Sequence, residues 1–84
     1  MHIDQTLVLD ILRLSAFCTG YPIRDGIEIA GRSPVEIANH VRYIRNERLA
    51  DVIILDPIRP SALPSPWFIW GVTAAGRALI DHSG

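Results

Sequence analysis

The stretch Ser33 to Leu49, SPVEIANHVRYIRNERL, restricts the possible folds of this chain more than any other. Ser33 is suited to an N-cap, because its hydroxyl can accept an N–H left orphaned by the first helical turn. Pro34 follows at the first helical position, where a missing N–H costs nothing. Glu36 stands three residues after the serine and completes the capping-box pattern. Ile37, Ala38, Val41 and Ile44 recur at helical spacing, so the stretch predicts a helix over 34–48 with one apolar stripe. Its outward face carries Asn39, Tyr43 and Asn46, flanked by Glu36, His40, Arg42 and Glu47. On this reading His40 is a solvated residue of the outer side. A polar-faced helix entered through a tight turn is what a helix-turn-helix unit offers its target.

Upstream, residues 4–18 read as a first helix. Leu7, Ile11, Leu14 and Cys18 form its stripe, widened by Val8 and Leu12. Leu9 and Ala16 lie nearly opposite, with Leu12 between them and the stripe. So broad an apolar surface suits a deeply buried helix, or a homodimer seam through Leu9, Leu12 and Ala16. Thr19-Gly20 ends this helix, and Tyr21-Pro22-Ile23 is extended, as residues around proline tend to be. A short second helix is expected over 24–30, weakened by Gly26. Gly31-Arg32 then turns into Ser33.

Downstream, the period changes. Val52 to Leu55 and Trp67 to Val72 are apolar, β-branched and aromatic, and read as strands of a hairpin spanning 52–72. The intervening DPIRPSALPSP is stiffened by proline and forms no regular element. Strands apolar on both faces require cover on both. Thr73 caps a closing helix over 74–82, with Ala78, Leu79 and Ile80 supplying apolar surface.

Composition narrows the class. With 84 residues, of which 49% are apolar, one folded α+β domain covering 1–84 is expected and disorder is not. No run approaches the roughly 18 apolar residues of a membrane span. MHIDQTLVLD lacks the basic start of a signal peptide, and the single Cys18 fits a reducing cytoplasm as a buried, inert thiol. No catalytic or metal-binding constellation is legible. His2, His40 and His82 are scattered, Gly71 and Gly76 form no phosphate fingerprint, and Ser61, Ser65 and Cys18 have no base nearby in sequence. Neither an enzyme nor a cofactor is expected.

The order of helix, extended segment, two helices, hairpin and closing helix resembles the winged helix-turn-helix superfamily of bacterial and phage regulators. Ile37, Val41, Ile44 and Leu49 followed by Val52 are similar to its passage from recognition helix to wing. WGVTAAGRALI is similar to its return strand and the leu-thr-x-x-gly that follows. The resemblance implies a three-helix core, a two-stranded wing and a short C-terminal helix. Two residues depart from the pattern: Arg48 stands where glycine usually precedes the leucine, and Arg59 is the lone basic residue of the wing loop.

Two functions follow from these residues. As a dimeric regulator, the chain would read double-stranded DNA through Asn39, Asn46 and Arg42, with Tyr43 on phosphate or thymine methyls. Arg32, Arg45 and Arg59 would make the backbone contacts. Charge opposes this, since six arginines between Arg24 and Arg59 meet six acids and the chain's net charge is −1. The alternative is a protein-binding winged helix, such as a phage or mobile-element inhibitor of a host protein. Its anchors would be Trp67 and Trp70.

Overall fold

The computed structural model describes residues 3–17, 22–24, 27–55 and 66–83. In chain order they form helix α1 (Gln5–Phe17), strand β1 (Ile23–Arg24), helix α2 (Pro34–Asn46), strands β2 (Ala50–Ile54) and β3 (Trp67–Val72), and helix α3 (Ala74–Ser83). This is an α+β fold with one antiparallel sheet of order β1-β3-β2.

α1 starts on Asp4, whose carboxylate accepts the Thr6 N–H at 2.9 Å. Leu7, Val8, Ile11 and Leu12 are wholly buried. Each such side chain contributes about 1.5–3 kcal/mol of transfer free energy, against the entropy of ordering it. Leu14, expected in the stripe, is 38% exposed, and Ser15 is buried in its place. The reason is lateral. α1 packs against α2, α3 and β3 together, so its neighbours rotate the inward direction away from Leu14. The Ser15 hydroxyl is satisfied by donating to the Ile11 carbonyl at 3.0 Å.

The expected helix over 24–30 does not form at its described positions. Arg24 pairs with Phe68, and Ile23 with Ile69, in β1 and β3. Ile27 and Ile29 are half-buried against the core while Glu28 and Ala30 are exposed. That alternation is the period of extended chain. Arg32 N–H then bonds the Ile29 carbonyl at 3.0 Å, closing a turn in which Gly31 takes a φ of +78°. The break before α2 is therefore a turn from extended chain, not a turn between two helices.

The hairpin expectation is met in substance: β2 and β3 pair antiparallel, with Val52 opposite Ile69 and Ile54 opposite Trp67. The register shifts between Asp51 and Val52 and skips Trp70, which is the extra residue of a β-bulge. Ile23, Ala50, Trp67 and Ile69 are buried, while Asp51, Ile53 and Trp70 are exposed. The proline-rich stretch between the strands, Arg59 included, and Cys18 lie outside the described residues.

α3 begins where expected. The Thr73 hydroxyl accepts the Gly76 N–H at 3.2 Å and donates to the Arg48 carbonyl at 2.7 Å, while Thr73 N–H bonds the Leu49 carbonyl at 3.1 Å. A Cβ on Gly76 would lie 2.0 Å from the Leu49 carbonyl oxygen and 2.6 Å from Val72 Cγ1. Only glycine lets the first turn of α3 sit this close to the chain leaving α2.

Candidate binding surface

α2 places the residues expected at a binding face, and its two ends differ sharply. At the N-terminus the Ser33 hydroxyl accepts the Glu36 N–H at 3.1 Å. Arg32 lies beside this cap and holds two carboxylates: Nη2 is 2.6 Å from Asp4 Oδ2 and Nη1 is 3.1 Å from Glu36 Oε2. The hydrogen bond from Arg32 holds the Asp4 carboxyl below its ordinary value. In return Asp4, then Glu36, raise the guanidinium.

His40 closes the same network from beneath. It is 2% exposed, not solvated as its helical position suggested. Asp4 N–H donates to Nε2 at 2.9 Å, and Nδ1 lies 2.7 Å from the Glu36 carbonyl. Because Nε2 accepts, the ring proton belongs on Nδ1, which donates to that carbonyl. A signal for this was present in the sequence. His40 stands three residues after Ile37 and four before Ile44, on the side those residues bury. The network ties the start of α1 to the start of α2 and leaves Arg32 engaged twice before any target arrives.

The remaining face of α2 is uneven. Asn46 is exposed, whereas Asn39, Arg42, Tyr43 and Arg45 are half-buried. Tyr43 packs against the core cluster, and the Arg45 guanidinium lies 3.4 Å from Asn46 Oδ1. Of the residues expected at a dimer seam, Leu12 is 0% exposed inside the monomer's own core and is unavailable to a second chain. Leu9 and Ala16 are half-buried.

The C-terminal end of α2 is built differently. Leu49 N–H reaches the Ile44 carbonyl at 3.0 Å and Arg48 N–H the Arg45 carbonyl at 3.1 Å, the paired bonds of a Schellman motif. That motif needs a left-handed residue after the cap, and Arg48 takes the role with a φ of 55°. A non-glycine residue there costs about 1–2 kcal/mol.

Arg48 and Arg45 border a shallow groove with Trp70, Thr73 and residues 50–53 of β2. The two tryptophans divide: Trp67 is 3% exposed and belongs to the core, while Trp70 is 56% exposed. Their odd separation along one strand puts them on opposite faces. Ile53 and Leu55 are exposed too, so the described part of the hairpin keeps apolar side chains at its surface.

Among the described residues no group of three or more His, Cys, Asp or Glu side chains could hold a metal ion, and no helix is long and apolar enough to cross a membrane. No family model, curated protein or solved structure matches this chain.

Proposed function

We propose that this chain is a protein-binding module of winged-helix-like architecture, acting by contact rather than catalysis. The observation that carries the reading is Trp70. A large aromatic side chain left 56% exposed, beside exposed Ile53, has the composition of an interface anchor. Arg45 and Arg48 border it, and arginine is the basic residue that interfaces enrich.

The second reading is a dimeric DNA-binding regulator. It draws support from exposed Asn46 and adjacent Arg45 on a well-capped helix. Against it stand the net charge of −1 and the commitment of Arg32 to two carboxylates.

Parallel selections on the folded chain separate the two: a displayed random peptide library and a random duplex DNA library. The protein reading expects enriched peptides whose binding falls at least tenfold in Trp70→Ala. An enriched duplex sequence whose affinity drops steeply with salt, together with no peptide, would replace it with the DNA reading.

A further inference from the structure

We infer that the outer face of the sheet docks an acidic segment of a partner protein, whose carboxylates meet Arg24, Arg45 and Arg48 while its apolar side chains cover the face. This rests on the protein-binding reading above and names the partner's chemistry. Residues opposite one another in paired strands share a face. Arg24 of β1 stands opposite Phe68 of β3, and Phe68 opposite Ile53 of β2. Trp70 follows Phe68 by two residues, and Asp51 and Leu55 lie two residues to either side of Ile53, which places them on the same side. Leu55 N–H bonds the Pro66 carbonyl at 2.8 Å, so the hairpin ladder reaches that far. Exposure agrees: Arg24, Asp51, Ile53, Leu55 and Trp70 are exposed and Phe68 is half-buried, whereas Ile23, Trp67 and Ile69 on the opposite face are buried.

A contiguous apolar patch of this kind, rimmed by polar residues, marks a contact surface. Charge selects the occupant. Arg24 stands on the face, and Arg45 and Arg48 border the groove that Trp70 and Ile53 line, while Asp51 is the one acid among these residues. Among the described residues no carboxylate pairs with any of the three arginines, in contrast to Arg32 with its two. An acidic segment therefore gains three cations for one acid. A second copy of this chain would bring arginine against arginine. Single-stranded nucleic acid would also meet the cations, but bases stack on aromatic rings, and half of this patch is the aliphatic pair Ile53 and Leu55. The net charge of −1 opposes a polyphosphate further.

The test begins with peptides enriched on the folded chain from the displayed library. They should carry aspartate or glutamate beside large apolar residues, and converting those acids to amides should weaken binding about tenfold. Ile53→Ala and Leu55→Ala, both at exposed positions, should each weaken binding about threefold or more with the unfolding midpoint little changed. A chain carrying Arg24→Glu and Arg48→Glu, checked for folding by circular dichroism, should lose those peptides and, in a fresh selection, enrich lysine and arginine in their place. That exchange of sign is a result a merely structural arginine would not give. In the free chain acrylamide should quench a component of the tryptophan emission that Trp70→Phe removes.

Acid-free peptides that still depend on Trp70, or full binding by the chain with both arginines reversed, would overturn the acidic class and leave the protein-binding reading intact. Peptides lost in Trp70→Ala but indifferent to Ile53→Ala and Leu55→Ala would move the contact off the sheet face, with the same consequence. Emission that acrylamide cannot reach would mean that the chain covers this face itself, and would overturn the inference. Dimers in light scattering that dissociate in Trp70→Ala would assign the face to a second copy. Binding of a labelled single-stranded oligonucleotide, lost in Trp70→Ala, with no peptide enriched, would remove both this inference and the reading beneath it.

Discussion

The two ends of α2 solve the same physical problem in opposite ways. Every helix end leaves backbone groups without partners. At the N-terminus Ser33 caps the Glu36 N–H, and Arg32, Asp4, Glu36 and His40 form a network that joins α2 to α1. At the C-terminus the backbone is satisfied too, but through a strained Arg48, beside a groove with exposed Trp70 and Ile53. The first end uses its charges internally; the second presents them. An arginine therefore cannot be assigned to a target from helical position alone. Arg32 and Arg48 flank one helix, yet Arg32 is already held by two carboxylates while Arg48 borders the groove beside Trp70.

Five substitutions probe this contrast. The largest effect belongs to the junction that supports the open end. Gly76→Ala should destabilise by about 3 kcal/mol, because its Cβ meets the Leu49 carbonyl oxygen, which is backbone and cannot swing aside. Urea unfolding measures it, and a loss below about 0.5 kcal/mol would mean that α3 is free to move off the turn after α2.

Next comes the closed end. His40→Ala empties a buried site and removes the acceptor of the part-buried Asp4 N–H, and should cost about 2 kcal/mol. The matching change at the open end, Arg45→Ala, should stay within about 0.5 kcal/mol. Equal losses in the two variants would erase the distinction drawn between the ends.

Arg48→Gly should move stability the other way, by about 1 kcal/mol in favour of the fold, since glycine takes a positive φ without a Cβ penalty. A destabilised variant would mean that the Arg48 side chain supports the fold, and that its position was not set for a ligand.

The smallest effect is a pH dependence. Hydrogen bonding from Arg32 holds the Asp4 carboxyl below its ordinary value of 3.8. The unfolded chain thus binds this proton more readily than the folded one, and stability rises with pH across the window. The contribution is complete above the ordinary value and is lost as pH falls through the lower folded value. Asp4→Asn should flatten that part of the acid limb in chemical unfolding followed against pH. An unchanged limb would show that the Arg32 pairs are too solvent-screened to matter.

Much of the local structure was legible in the residues themselves. Ser33-Pro34-x-Glu36 marks the start of α2, Thr73 the start of α3, and the apolar runs at either side of the proline-rich stretch the two strands that pair. Cap geometry and hydrophobic period are properties of neighbouring residues, so no distant contact is needed to read them. The segment 24–30 failed for a reason of the opposite kind. Its composition tolerates a helix, but pairing of Ile23 and Arg24 with β3 draws the chain into the sheet, and Ile27 and Ile29 meet the core at strand spacing. A partner more than forty residues away decided that conformation.

The binding surface divides along the same line. The amino-acid sequence by itself determined the type and order of α1, α2, the hairpin and α3, and a supply of arginine balanced by acid. Those follow from periodicity, capping and counting. Tertiary structure alone decided that Arg32 is held by Asp4 and Glu36, that Leu12 belongs to the monomer core, and that of two tryptophans only Trp70 remains outside. Each of those outcomes depends on which elements pack together. A side chain's role is set by the dielectric and the partners around it, and these come into being only when distant parts of the chain meet.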